Sequence, residues 1–283
     1  MKAGHNERAR RFNELHRTTD PFVIGSVWDP ASAVVFERAG FAALGTSSAG
    51  VAYSQGFPDG QVIPLDAMIE AIGRIVDSVR IPVSADMEAG FGTTPEAIAA
   101  ACLRAIEAGA VGVNIEDAPA GGSGSLVDVD YQCEAIRRIR QAAQSIGAGL
   151  FINARTDAFW LRLWDEPERI AQSIARARAY LEAGADGIFI PGALDPITVR
   201  TLTSAIDAPV NILAMPGCPD IGHLRELGVR RLSQGSGPAR AALGLSRRIA
   251  LELLESGTYS SFHSGALSYP DANQLFSDSQ TRT

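Results

Sequence analysis

The chain has 283 residues, 46% of them hydrophobic and 20% charged, with a formal net charge of −7. The acidic excess, with no basic run beyond "ERARRF", argues against nucleic acid as a partner, and no apolar stretch reaches the ~20 residues of a membrane span. What remains is a globular protein with enough chain for one large domain or two ordinary ones.

The opening stretch "MKAGHNERARRFNELHR" is charged, lacks an apolar core and reads as a leading helix over 5–17 rather than a signal peptide or anchor. Strand-like runs then begin near 22, 41, 82, 111, 149, 187, 209 and 230. Amphipathic segments fill the gaps, roughly over 30–39, 65–79, 95–108, 130–146, 166–183, 195–205, 219–227 and 237–255. "FERAGFAALGT", "AIEAGAVGVNIED", "YLEAGADGIFIPG" and "LRELGVRRLSQG" share one plan, a helix closing at glycine followed by a short apolar run. Strands apolar on both faces that alternate with helices indicate a parallel sheet, and eight such units in about 240 residues indicate a closed (β/α)8 TIM barrel. An open doubly wound sheet is the alternative, but neither GxGxxG nor GxxxxGK[ST] follows any strand. The expectation is a single barrel domain over 1–283, with a leading segment (1–20) and a tail (256–283) outside the eightfold pattern.

Barrels carry their chemistry at the C-terminal ends of strands. There the sequence places Asp86 and Glu88 after the third strand, Glu116 and Asp117 after the fourth, and Arg155 and Asp157 after the fifth. The second strand ends in "GTSSAG", Thr46 to Gly50, followed by a long Gly- and Pro-containing loop with Asp59. If the third strand persists past Asp86, the i, i+2 spacing puts Asp86 and Glu88 on one side, beside Glu116. Such carboxylates repel unless protons or a cation intervene, and an oxygen-only ligand set suits Mg²⁺ or Mn²⁺. Asp117 and Asp157 read instead as caps of the helices that follow. Cys102, Cys133 and Cys218 are far apart with no CxxC pair, so a reducing, cytoplasmic setting is expected without disulfide framework or zinc site. Cys133 reads as packing, Cys218 as a loop thiol and His223 as a capping or surface residue. Trp28 is the tryptophan expected to face the pocket.

"GTSSAGVAYSQGFPDG", "PVSADMEAGFG", "VNIEDA" and "INARTDAF" resemble the isocitrate lyase / phosphoenolpyruvate mutase superfamily, in its order and spacing, over about residues 20–250. The resemblance implies that Asp86, Glu88 and Glu116 hold Mg²⁺, directly or through water. It implies that Thr46, Ser47 and Ser48 offer amides and hydroxyls to the carboxylate of a 2-oxo acid, which also meets Asp86 through the ion. Arg155 would contact the substrate, and Asp59 would sit on a loop that closes over the site. A 2-oxo acid chelates such an ion through its carboxylate and carbonyl oxygens, which stabilises the enolate formed when the adjacent bond breaks. The implied activity is a Mg²⁺-dependent lyase or hydrolase acting on a C–C bond next to a 2-oxo or 2-hydroxy acid. A P–C bond enzyme and a non-catalytic oxo-acid binder are the alternatives.

Three departures from the family pattern bear on the substrate. The loop after the fourth strand reads "APAGGSGSLVDVD", with none of the Cys, His or Lys found there in isocitrate and methylisocitrate lyases. Gly192 stands where those lyases have glutamate, and Glu88 where many members have aspartate. "GSGPAR" (235–240), which could bind an anion through free amides, reads as packing. The resemblance further implies that the eighth helix is exchanged between neighbouring barrels, giving a homodimer or homotetramer. The broad Ala-Leu face of "GPARAALGLSRRIALELLESG" agrees, although the same face could pack on its own barrel.

Overall fold

Local signals set the alternation of strand and helix. Asp29, Thr94 and Asp195 each accept a hydrogen bond from the backbone N–H three residues on, and each is followed by proline at the first helical position. At the other end of a helix, Gly109 and Gly184 take φ of 107° and 111°. The next residues, Ala110 and Ala185, donate back to the carbonyls of Ala105 and Tyr180, which closes the helix and turns the chain into a strand.

The computed structural model describes residues 2–122 and 124–280. Its strands are β1 (Phe22–Val23), β2 (Gly25–Val27), β3 (Leu44–Thr46), β4 (Val83–Asp86), β5 (Gly112–Glu116), β6 (Phe151–Arg155), β7 (Gly187–Phe189), β8 (Val210–Leu213) and β9 (Arg231–Ser233). All pair in parallel, in the order β1-β9-β8-β7-β6-β5-β4-β3-β2. β1 and β2 are two halves of one run split at Ile24, whose N–H bonds Leu232 of β9 while that of Gly25 bonds Ala43 beside β3. The first expected strand thus joins both ends of the sheet, and the eightfold TIM barrel is the fold.

The helices are α1 (His5–Leu15), α2 (Pro30–Arg38), α3 (Ser48–Ser54), α4 (Leu65–Ser78), α5 (Pro95–Glu107), α6 (Val129–Ser145), α7 (Glu166–Glu182), α8 (Pro196–Ala205), α9 (Ile221–Glu226), α10 (Gly237–Glu255), α11 (Ser260–His263) and α12 (Tyr269–Gln280). α3, α11 and α12 are additions to the expected set. The helices of the outer ring bury one apolar face on the barrel, such as Met68, Ile72 and Ile75 of α4 and Ile98, Cys102 and Ile106 of α5. Cys133 is likewise packed inside α6.

α1 seals the N-terminal end of the barrel. Phe12 is fully buried and meets Phe22 and Phe151, the first residues of β1 and β6, edge-on at 6.0 and 5.7 Å. α10 behaves differently from the other long helices. Ala239 is its one buried residue, while Leu243, Leu251, Leu253 and Leu254 are exposed, so its apolar face is not folded back onto its own barrel. No described helix is long and apolar enough to cross a membrane.

Candidate active site

In a parallel ladder, register partners point to the same side. Asp86 pairs with Asn114, and Glu116 with Arg155, so the ends of β4, β5 and β6 aim these side chains together into a cavity of about 260 Å³. Thr46, Ser47 and Ser48 line its β3 side, and Asp59 and Gln61 enter from the loop between α3 and α4. All eight residues expected to form the site line this one cavity.

Asp86 is held in place by its neighbours. Ser48 donates its hydroxyl to Asp86 Oδ2 at 2.9 Å, and the Asp86 N–H donates to Thr46 Oγ1 at 2.9 Å. Ser47 serves the backbone instead, its Oγ accepting from the Gly50 N–H at 3.2 Å to cap α3. The three hydroxyls thus orient Asp86 and the helix behind it.

Glu88 reaches the site by a route that strand periodicity does not give. β4 ends at Asp86, and Glu88 takes φ 49°, in the left-handed region. Its carbonyl still accepts from the Glu116 N–H at 2.9 Å, which pins the kink to β5. The Gln61 backbone N–H donates to its carboxylate, and Gln61 Oε1 accepts from the Phe91 N–H at 3.1 Å, which ties the Asp59 loop to the turn after β4. Burial, then the charges of Asp86 and Asp59, push the Glu88 carboxyl up to about 8. Asp59 is raised too, chiefly by burial.

Arg155 stands between two acids. Its Nη1 lies 2.7 Å from Glu116 Oε2 and its Nε 2.7 Å from Asp157 Oδ1, with the guanidinium over the Phe189 ring at 5.6 Å. Burial raises Glu116 well above the usual carboxylate range and raises Asp157 as well, with Arg155 opposing in both cases.

Asp117 and Asp157 are not helix caps. The caps of α6 and α7 are Asp128 and Asp165. Asp117 accepts from Tyr180 Oη at 2.8 Å, Arg176 Nη1 at 3.2 Å and the Asp157 N–H at 2.9 Å, a buried brace beneath the rim. Trp160, half exposed, lines the cavity mouth, and Trp28 is not among the lining residues. Gly235 and Ser236 also line the cavity, so "GSGPAR" contributes wall as well as packing. Cys218 and His223 lie off the cavity. Gly192 has φ 89°, and a Cβ there would stand 3.1 Å from the Phe159 carbonyl carbon, so the loop after β6 occupies the space a larger side chain would need.

Asp59, Asp86, Glu88, Glu116 and Asp157 outnumber the two cations that line the same cavity, Arg155 and Arg231, a surplus of acidic groups that suits a hard cation. Among the described residues no three Asp, Glu, His or Cys side chains converge closely enough to enclose an ion directly. Asp86, Glu88 and Glu116 around one cavity therefore fit an ion held partly through water, as Mg²⁺ often is. Gln61, Trp160 and Arg231 line the cavity without having been expected there. For Arg231 a signal existed, a charge inside the short strand "VRRLSQG".

The sequence model of the family described as phosphoenolpyruvate phosphomutase matches residues 12–254. A protein of Mycobacterium tuberculosis whose function is uncharacterised is 39% identical over 82% of this chain and 84% of its own length. An oxaloacetate decarboxylase of Paraburkholderia xenovorans is 29% identical over 91% of this chain and 85% of its own. The solved structure of a 2,3-dimethylmalate lyase superposes with a TM-score of 0.82 at 28% identity, covering 96% of this chain and 94% of that one. With the match spanning nearly the whole barrel and the acids of β4 and β5 meeting at its rim, the chain belongs to the phosphoenolpyruvate mutase family of the isocitrate lyase / phosphoenolpyruvate mutase superfamily.

Proposed function

We propose that this chain is a Mg²⁺- or Mn²⁺-dependent lyase or hydrolase that cleaves the C–C bond adjacent to a small 2-oxo or 2-hydroxy carboxylic acid. The observation that carries the reading is the convergence of Asp86, Glu88 and Glu116 on one cavity from the ends of neighbouring strands. The names of two relatives, an oxaloacetate decarboxylase and a 2,3-dimethylmalate lyase, support C–C chemistry on small acids. A cavity of about 260 Å³ has room for such an acid and a few waters, at ~30 Å³ each.

Each residue has a task. Asp86, oriented by Ser48 and Thr46, would hold the ion, with Glu88 and Glu116 behind waters. A divalent ion there supplies positive charge to the carboxylate and carbonyl oxygens of the acid. Arg155, fixed between Glu116 and Asp157, directs its remaining N–H groups at the substrate. When the bond to a 3-carboxylate of a 2-oxo acid breaks, that carboxylate would leave as CO₂, the electron pair would stay on the enolate carbon, and Asp59 would return a proton to that carbon. Burial raises the Asp59 carboxyl, a shift in the direction a proton donor needs. Asp59 thereby fills the place of a proton donor that the loop over 118–128, with no Cys, His or Lys, does not provide.

The test is release of pyruvate or oxalate with Mg²⁺, above the protein-free rate, from oxaloacetate, 2-methylmalate and phosphonopyruvate in parallel. Release from either of the first two supports the reading. Release from phosphonopyruvate alone moves the enzyme to P–C chemistry. No turnover with oxalate binding intact makes the chain a binding protein.

A further inference from the structure

The cavity has two unlike sides. β3, β4 and β5 bring hydroxyls and carboxylates to it. β7 and β8 stand across the barrel from β3 and β4, and they and the turn after β7 bring Phe189, Pro191 and Leu213. The loop after β6 adds Trp160 and Leu161, and the segment over 118–122 lines the rim with alanine, proline and glycine alone. Arg155, its guanidinium over the Phe189 ring at 5.6 Å, marks the border between the two sides.

The strands set this apolar wall by alternation. Ile188 and Ile212 point into the main apolar core, whereas their neighbours Phe189 and Leu213 belong to no apolar cluster of the described residues and face the cavity. Leu213 Cδ1 leans on the turn after β9, where a Cβ at Gly235 would stand 3.1 Å away. A Cβ at Gly192 would stand 3.2 Å from the Trp160 backbone nitrogen, so the bare backbone of Gly192 lets the loop after β6 close up on β7. Trp160 keeps 49% of its surface exposed and Leu213 is only half-buried, which leaves apolar area to solvent inside a catalytic cavity. Water against such a surface is loosely held, and a ligand that replaces it with carbon gains affinity.

We propose that the substrate carries an apolar substituent longer than a methyl group on C3, and that Trp160, Phe189 and Leu213 select for it. The inference deepens the function proposed above and rests on it. With the acid end at Asp86, C3 and the group it bears face β7 and β8. A short, wholly polar acid would leave three apolar side chains to water, and a methyl group is too small to cover them.

Calorimetry on the full-length protein with Mg²⁺ tests this, using oxalate and the series pyruvate, 2-oxobutanoate, 2-oxopentanoate and 2-oxohexanoate, which lengthens beyond C3 one carbon at a time. Each 2-oxo acid stands for the product of the cleavage proposed above. A buried methylene is worth about fourfold in affinity, so wild type is expected to bind 2-oxohexanoate at least about tenfold more tightly than pyruvate. The double variant Leu213→Ala, Trp160→Ala should cut that ratio by at least about threefold while binding oxalate within about twofold of wild type. Equal or falling affinity along the wild-type series would overturn the proposal, as would a double variant that keeps the full ratio. The wild-type series decides even if the variant fails to fold. Absence of Mg²⁺-dependent oxalate binding would instead remove the metal reading. The series without metal then decides the role of the wall by the same ratio, and binding by none of its members overturns that role too.

Discussion

Arg155 and Glu116 are register partners on adjacent strands, and their charged ends meet at 2.7 Å inside the cavity. Glu116 is buried enough that its charge depends on this partner. Arg155→Met strands that carboxylate, at a cost of roughly 3 kcal/mol. Urea denaturation at neutral pH should show the loss, and turnover should vanish with it. Full stability in the variant would mean that Glu116 is protonated in the native protein.

Asp86→Ala removes the carboxylate proposed to hold the ion. Mg²⁺-dependent oxalate binding should weaken by at least about a hundredfold, given that such an ion is held by one or two carboxylates. Calorimetry that finds wild-type affinity removes Asp86 from the metal site.

Asp59→Asn keeps the shape of the loop and deletes the proton. Loss of a positioned acid costs about 10²–10⁴ in rate, so kcat should fall by that order while KM stays within about threefold. Equal losses in kcat and affinity would assign Asp59 to binding.

The Glu88 carboxyl predicts a pH dependence of stability. Folded, it keeps its proton up to about 8, against an ordinary value of 4.5. Between those values the folded chain binds more protons than the unfolded one, so stability falls as pH rises, by up to roughly 1.4 kcal/mol per unit, and levels off above the folded value. Thermal melts of metal-free protein from pH 5 to 9 should show the slope, and Glu88→Gln should flatten it. Mg²⁺ favours the ionised form, so its stabilising effect should grow with pH.

α10 predicts assembly. Its leucines are exposed in the single chain, and exposed apolar faces of this breadth mark contact sites. Light scattering at micromolar concentration should report a dimer or tetramer, and a chain ending near residue 235 should be monomeric and inactive. A monomeric full-length protein would contradict the exchange of this helix.

The barrel was legible because its signals are local. Gly109 and Gly184 close helices, and Asp29, Thr94 and Asp195 open them, wherever the rest of the chain lies. The acids of the rim were legible because strand ends are. Glu88 was placed on the right side for the wrong reason, since its direction comes from a left-handed residue tied to β5 and Gln61. Asp117 and Asp157 look like caps only while the distances to α6 and α7 are ignored; Asp128 and Asp165 stand closer. In "VRRLSQG" two arginines stand side by side, and alternation alone cannot say which turns inward. The register does, with Arg230 donating to the Thr19 carbonyl outside and Arg231 facing Asn114 inside.

Gln61, Glu88 and Phe91 all have positive φ, at 64°, 49° and 54°, and hydrogen bonds link Gln61 to each of the other two. Each such residue stores about 1–3 kcal/mol that the surrounding contacts must hold in place. The fastening between the Asp59 loop and the turn after β4 is therefore loaded like a spring. Releasing it returns part of that strain, so loss of either hydrogen bond should loosen the loop and the turn together.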